Sequence, residues 1–156
     1  VLETEIPMWQ HTEAIARQEL ALDPENAFTW FNLGVALTHQ GEITGNAQYY
    51  AEAIQSFNQA REIGLPPRAL YYEHRPLMAH FKTGQFDELL ELTTFLIEET
   101  AGGKWVEEIH WYQGHALAGL QDLVGAQEAY QEALVVNPNF YPAEVSLTWV
   151  NGLLEE

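Results

Sequence analysis

The sequence predicts an all-α chain of antiparallel helix pairs stacked in series, about eight helices in all. Two internal repeats lead there. "WFNLGVALTHQGE", starting at Trp30, and "HWYQGHALAGLQD", starting at His110, each show bulky residues, then a glycine (Gly34, Gly114), then an alanine two residues on (Ala36, Ala116). Each is followed by a second run, "AEAIQSFNQAREIG" and "GAQEAYQEALVVNP". In these runs Ala53, Phe57 and Ala60 correspond to Ala126, Tyr130 and Ala133, a small, aromatic, small series at helical spacing. Self-similarity of this kind marks a repeat architecture, in which each helix pair buries its apolar face against its neighbours.

Composition agrees with a folded chain. A hydrophobic fraction of 47% separates it from disordered acidic tails despite a net charge of -17. At 156 residues one domain with a real core is expected. The negative field repels phosphate, so nucleic acid and anionic membrane surfaces are not expected partners. Cysteine is absent, which removes disulfides, thiolate nucleophiles and cysteine-based metal sites. No run approaches the roughly 18 apolar residues of a membrane span, and the first residues lack the basic and apolar regions of a signal peptide. The start at Val1, without Met, is expected of a processed chain or an excised domain, which leaves both cytoplasmic and exported locations open.

The elements follow in order. Residues 1–24, with "EAIARQELALDPEN", read as an N-terminal helix ending at Asp23-Pro24. The first full pair spans 27–66 and carries about seven extra residues near "ITGNAQYY". Seven residues are close to two turns, so the second helix is expected to lengthen without rotating its apolar face. Residues 67–102 form a degenerate pair, marked by the Gly84, Phe86 turn and by Leu89, Leu92 and Leu96. There Leu77 stands in the glycine's place and Pro76 lacks the N–H that a helix interior needs, so a kink or wider packing is expected. "IGLPP" ends one helix and starts the next, and "AGGK" at 101–104 is a linker. The second full pair spans 107–140 without a gap, and 141–156 is a capping helix. The small residues let paired helices approach closely, and Phe57 and Tyr130 are expected to fill the space between adjacent hairpins.

These residues resemble the tetratricopeptide repeat (TPR) family, whose helix-turn-helix unit of about 34 residues carries bulky-x-x-Leu-Gly on its first helix and Ala, aromatic, Ala and Pro on its second. The resemblance covers nearly the whole chain, closely at 27–66 and 107–140. It implies a single domain, 1–156, built as a right-handed α-solenoid whose first helices line a concave groove. By register that groove takes Phe28, Phe31 and Val35, with His39 at its edge, then Tyr71, His74, Met78, Phe81 and Lys82. Glu108, Trp111 and His115 follow, and the capping helix adds Val145 and Trp149. The implied function is a non-enzymatic interaction module that binds a peptide or partner domain in an aromatic groove, with no cofactor. Aromatic rings give large contact area at small entropic cost. For any single ring, packing in the core is the alternative.

Other classes are weighed on the same residues. A carboxylate clamp needs lysine, arginine and asparagine, whereas the matching turns hold Phe31, Val35, His74, Met78, Trp111 and His115. His110 and His115 stand about 140° apart around a helix, not at the i, i+4 spacing of a helical zinc pair. A cross-helix set of His74, His115 and Glu108 is the minor metal alternative. No phosphate loop or nucleophile elbow is present. Self-assembly is the structural alternative, a head-to-tail homo-oligomer joined through Trp9, Trp149, Leu153 and Leu154. Finally, "IGLPPRALYYEHRPLMAHFKTGQFDELLEL" resembles TPR segments that follow papain-like peptidase domains in some bacteria, which implies an accessory part of a larger protein without catalytic residues of its own.

Overall fold

A computed structural model describes residues 2–155, with side chains from residue 4 onward; Val1 and Glu156, to which the expected terminal helices extend, lie outside the described residues. Among the described residues there are eight α-helices, two short 3-10 turns and no strand. They fall into two compact units that meet at Ala69 and Leu70 in the chain.

The first unit contains α1 (Leu2–Leu22), α2 (Ala27–Thr44) and α3 (Ala47–Ile63). Asparagine starts two of them. The side chain of Asn26 accepts the N–H of Thr29, and that of Asn46 accepts the N–H of Gln48, so each satisfies an otherwise orphaned donor of the first turn. Gly45 ends α2 at φ 68°, a left-handed conformation that costs an L side chain and that glycine adopts freely. The additional residues of this repeat are shared. α2 runs 18 residues against 13 in the later first helix α6, and α3 runs 17 against 14 in α7, so both helices lengthen instead of the second alone. The Gly45-Asn46 turn moves outward with them.

α1 buries Ala16 and Leu20 and also makes polar contacts with this pair. Gln40, buried in α2, donates from Nε2 to Glu13 Oε2 at 2.6 Å, and Arg17 joins Glu13 at 2.8 Å and Glu52 of α3 at 3.1 Å. Burying the Gln40 amide is tolerable because this bond replaces one to water.

The second unit contains α4 (Arg75–Lys82), α5 (Phe86–Glu98), α6 (Glu107–Gly119), α7 (Leu123–Val136) and α8 (Tyr141–Leu154). Pro76 causes no kink. α4 begins only at Arg75, which places the proline in the first turn, where its missing N–H would have no helical acceptor. The segment before it is a 3-10 turn, Pro67–Tyr71, and His74 flanks the helix start. Leu77, in the glycine's place, is fully buried. The "AGGK" linker runs into a second 3-10 turn, Gly103–Trp105.

In both full repeats one aromatic ring lies on one glycine. A Cβ at Gly34 would stand 2.6 Å from Cδ1 and 2.8 Å from Cζ of Phe57, and one at Gly114 would stand 2.5 Å and 2.9 Å from the same atoms of Tyr130. The rings therefore close their own helix pair, α2 on α3 and α6 on α7, rather than only filling space between hairpins. Phe57 and Tyr130 are 2% and 0% exposed, and each burial contributes on the order of 2–3 kcal/mol.

Glycines that differ in surroundings should respond with opposite signs. Gly114→Ala is expected to lose about 1–3 kcal/mol in a urea titration, since the methyl group must displace the Tyr130 ring. Gly152, in α8 with nothing within 4 Å of the place a Cβ would take, should gain about 0.5 kcal/mol on substitution by alanine through helix propensity alone. Equal responses at the two positions would contradict the ring-on-glycine packing.

Candidate functional site

The second unit holds an open, chiefly apolar hollow of about 490 Å³, lined by Phe81, Phe86, His115, Ala118, Gly119, Val145, Ser146 and Trp149. Phe81 comes from the end of α4 and Phe86 from the start of α5. α6 supplies His115, Ala118 and Gly119, and α8 supplies Val145, Ser146 and Trp149. Phe86 reaches the floor because Gly119 has no side chain; a Cβ there would be 2.5 Å from the Phe86 ring.

His115 is the centre of the aromatic set. Phe81 stacks on it with ring centroids 4.7 Å apart and planes at 21°, and Trp111 meets it edge-on at 4.5 Å. Its Nδ1 pairs with the Tyr130 hydroxyl at 2.9 Å. Burial holds His115 neutral down to a pKa of about 4 and pushes the Tyr130 hydroxyl up to about 12, so the pair carries no charge at neutral pH. Ser146 is satisfied in the same way: it accepts from Trp111 Nε1 at 2.9 Å and donates to the carbonyl of Pro142 at 2.9 Å. His115 Nδ1 and the Ser146 hydroxyl are thus turned into the fold, and the lining that remains is chiefly aromatic and aliphatic.

The residues expected from register divide into three groups. Phe81, His115 and Trp149 meet at the hollow, with Trp111 behind them and Val145 beside Trp149. Tyr71 and His74 do not line it. The Tyr71 hydroxyl donates to Thr100 Oγ1 at 2.6 Å and accepts the Gly102 N–H at 3.2 Å, while His74 Nε2 lies 3.2 Å from the Tyr71 carbonyl oxygen. Tyr71 thus ties the 3-10 turn to the linker after α5 and His74 bonds back to that turn, because α4 starts too late to carry them as helix positions. Met78 is half-buried within α4. Phe28 and Phe31 belong to the first unit. Phe28 is exposed on the first turn of α2, and Phe31 packs on Phe57 at 5.6 Å.

Further expectations are resolved by contacts. His39 is not an open edge, since Trp9 of α1 stacks on it at 3.6 Å with planes 9° apart. His74 and His115, weighed as a metal pair, each use a ring nitrogen on a separate protein partner. His110 is buried, with Nε2 3.0 Å from the Lys104 carbonyl oxygen. Register did not point to Phe86, Gly119 or Ser146. The small run "ALAG" before Leu120 is the signal for the first two, because a glycine at a helix end facing a turn aromatic repeats the Gly114 and Tyr130 logic.

No protein-family model matches the sequence, and no curated protein matches it either. Among solved structures the chain is similar to one described as "MamA RS-1 ArsTM double mutant", at a TM-score of 0.79 and 16% identity, covering 95% of this chain and 76% of that one. MamA is a TPR protein, and the likeness establishes the fold: all-α, with helices packed in sequential pairs in a TPR-like arrangement.

The buried histidine has a pH signature. In the unfolded chain His115 takes up a proton near pH 6.5, whereas in the folded chain it does so only near 4. Between these values the unfolded state binds more protons, so this contribution to stability is complete above about pH 6.5 and is lost as pH falls toward 4. The full difference is about 3 kcal/mol. Denaturant titrations from pH 7 to 4 should show this decline in the parent and a flatter profile in His115→Phe. A His115 resonance titrating near 6.5 in the folded protein would contradict the assignment.

Proposed function

We propose that the protein is an interaction module and that the hollow of its second unit receives a large apolar side chain from a partner protein segment. The observation that carries this is the exposed, chiefly apolar aromatic lining, with Trp149 half exposed at its rim while His115 Nδ1 and the Ser146 hydroxyl are engaged inside the fold. Its volume falls within the range of about 300–1,000 Å³ typical of pockets that hold a ligand. Aromatic, water-excluding pockets of this kind carry most of the energy at protein interfaces. Stacked helix pairs commonly present such surfaces to proteins, which agrees with the TPR-like fold.

A second reading, association between copies, is favoured by one feature of α8. Tyr141, Val145, Trp149 and Leu153 recur every four residues and are all exposed, forming an apolar stripe down the last helix. Trp9, the residue from the other end of the chain expected in such a contact, is half-buried with its ring stacked on His39.

Site-specific photo-crosslinking separates these readings. A photoreactive residue at Val145 is expected to give one discrete adduct with a partner protein, whereas one at exposed Val135 of α7 should not. A covalent dimer of the chain from position 145 would support association between copies instead. The same adducts from both positions would contradict the hollow as the docking point.

A further inference from the structure

The charge around the hollow narrows the class of partner. Eight acidic residues follow Lys104 in the sequence and no lysine or arginine does, so α6, α7 and α8 carry negative charge alone. On three helices acidic residues neighbour lining residues along the chain or along the helix face. Asp87 and Glu88 follow Phe86 directly in the first turn of α5, and both are exposed. Glu108 lies on α6 seven positions before His115, two turns along the same face. Glu144 precedes Val145 on α8 and is exposed. On the fourth helix Lys82 follows Phe81, while Arg75, at the far end of α4, is engaged by Glu73 at 2.9 Å. His115 is neutral and offsets none of this charge.

On the reading of the hollow given above, we infer that its occupant is a cationic segment, one large apolar anchor side chain flanked by lysine or arginine. The anchor fits the aromatic lining, and the flanking cations meet Glu108, Glu144 and the acidic start of α5. A second copy of this chain is disfavoured as the occupant, because it brings the same net charge of -17 and is repelled on approach. Attraction across such a field raises association rates by roughly 10- to 1,000-fold and is screened over about 10 Å at 0.1 M salt.

Selection from a random displayed-peptide library on the intact chain, with Trp149→Ala as the counter-target, tests this. A matched melting temperature would confirm that the variant is folded, as expected for a half-exposed rim residue. Enriched peptides should be basic around a large apolar residue. A synthetic copy of one should lose at least about tenfold in affinity on Trp149→Ala, and about tenfold between 50 and 300 mM salt. It should lose at least about threefold on combined Glu108→Gln and Glu144→Gln. Neutral or acidic peptides whose binding is lost on Trp149→Ala would overturn the cationic partner and leave the hollow as a docking point. Basic peptides retained equally by Trp149→Ala would mean diffuse charge attraction and overturn the inference. Failure of any peptide to depend on Trp149 would overturn the inference and the hollow together.

Discussion

An aromatic ring laid on a glycine holds each full repeat together, and much else follows from that contact. Helix pairs approach closely only where one surface lacks a side chain and the other supplies a flat body to fill the space. Gly34 with Phe57 and Gly114 with Tyr130 are the same solution used twice. Around the second of these sits a core of Ala118, Ala126, Tyr130 and Val150, against which Trp111, Leu117, Leu123 and Leu147 pack. Alanines at these positions keep α6, α7 and α8 near enough for one ring to bridge them.

The same ring prepares the candidate site. Tyr130 lies on Gly114 with its face and meets His115 Nδ1 with its hydroxyl, so the packing contact also fixes an imidazole at the edge of the hollow. Burial leaves His115 neutral, a flat platform for Phe81. Trp111, one turn earlier, ties α6 to α8 through Ser146. The run "EIHWYQGHA" thus combines helix contact at Gly114, a buried structural histidine at His110, and two rings that shape a surface. A crowded set of histidines is explained by packing on one side and presentation on the other.

The sequence reveals the repeats because their signal is local: a small, aromatic, small series survives wherever the helix pair survives. It says less about the middle pair. Pro76 fits a kinked interior and a helix start equally well, and only the 3-10 turn at Pro67–Tyr71 shows that the helix begins late. With that start, Tyr71 and His74 do not line the hollow. Periodicity likewise counts the extra residues of the first repeat without locating them; the Gly45-Asn46 turn, a glycine in the left-handed region beside a helix cap, does. At the candidate site, register points to Phe81, His115 and Trp149, which line one hollow. It does not point to Phe86, which sits on the second helix of its pair and enters only because Gly119 leaves room.

In the proposed function, apolar lining and acidic surroundings divide the work, contact area supplying affinity and charge supplying selection, as in interfaces that keep ions at the rim. The most direct measurement is a crystal structure of the chain with a bound partner segment. One apolar side chain of that segment is expected in contact with Phe81, Val145 and Trp149, with the Trp111 to Ser146 hydrogen bond intact behind it. A segment seated on another face, with these three residues untouched, would contradict it.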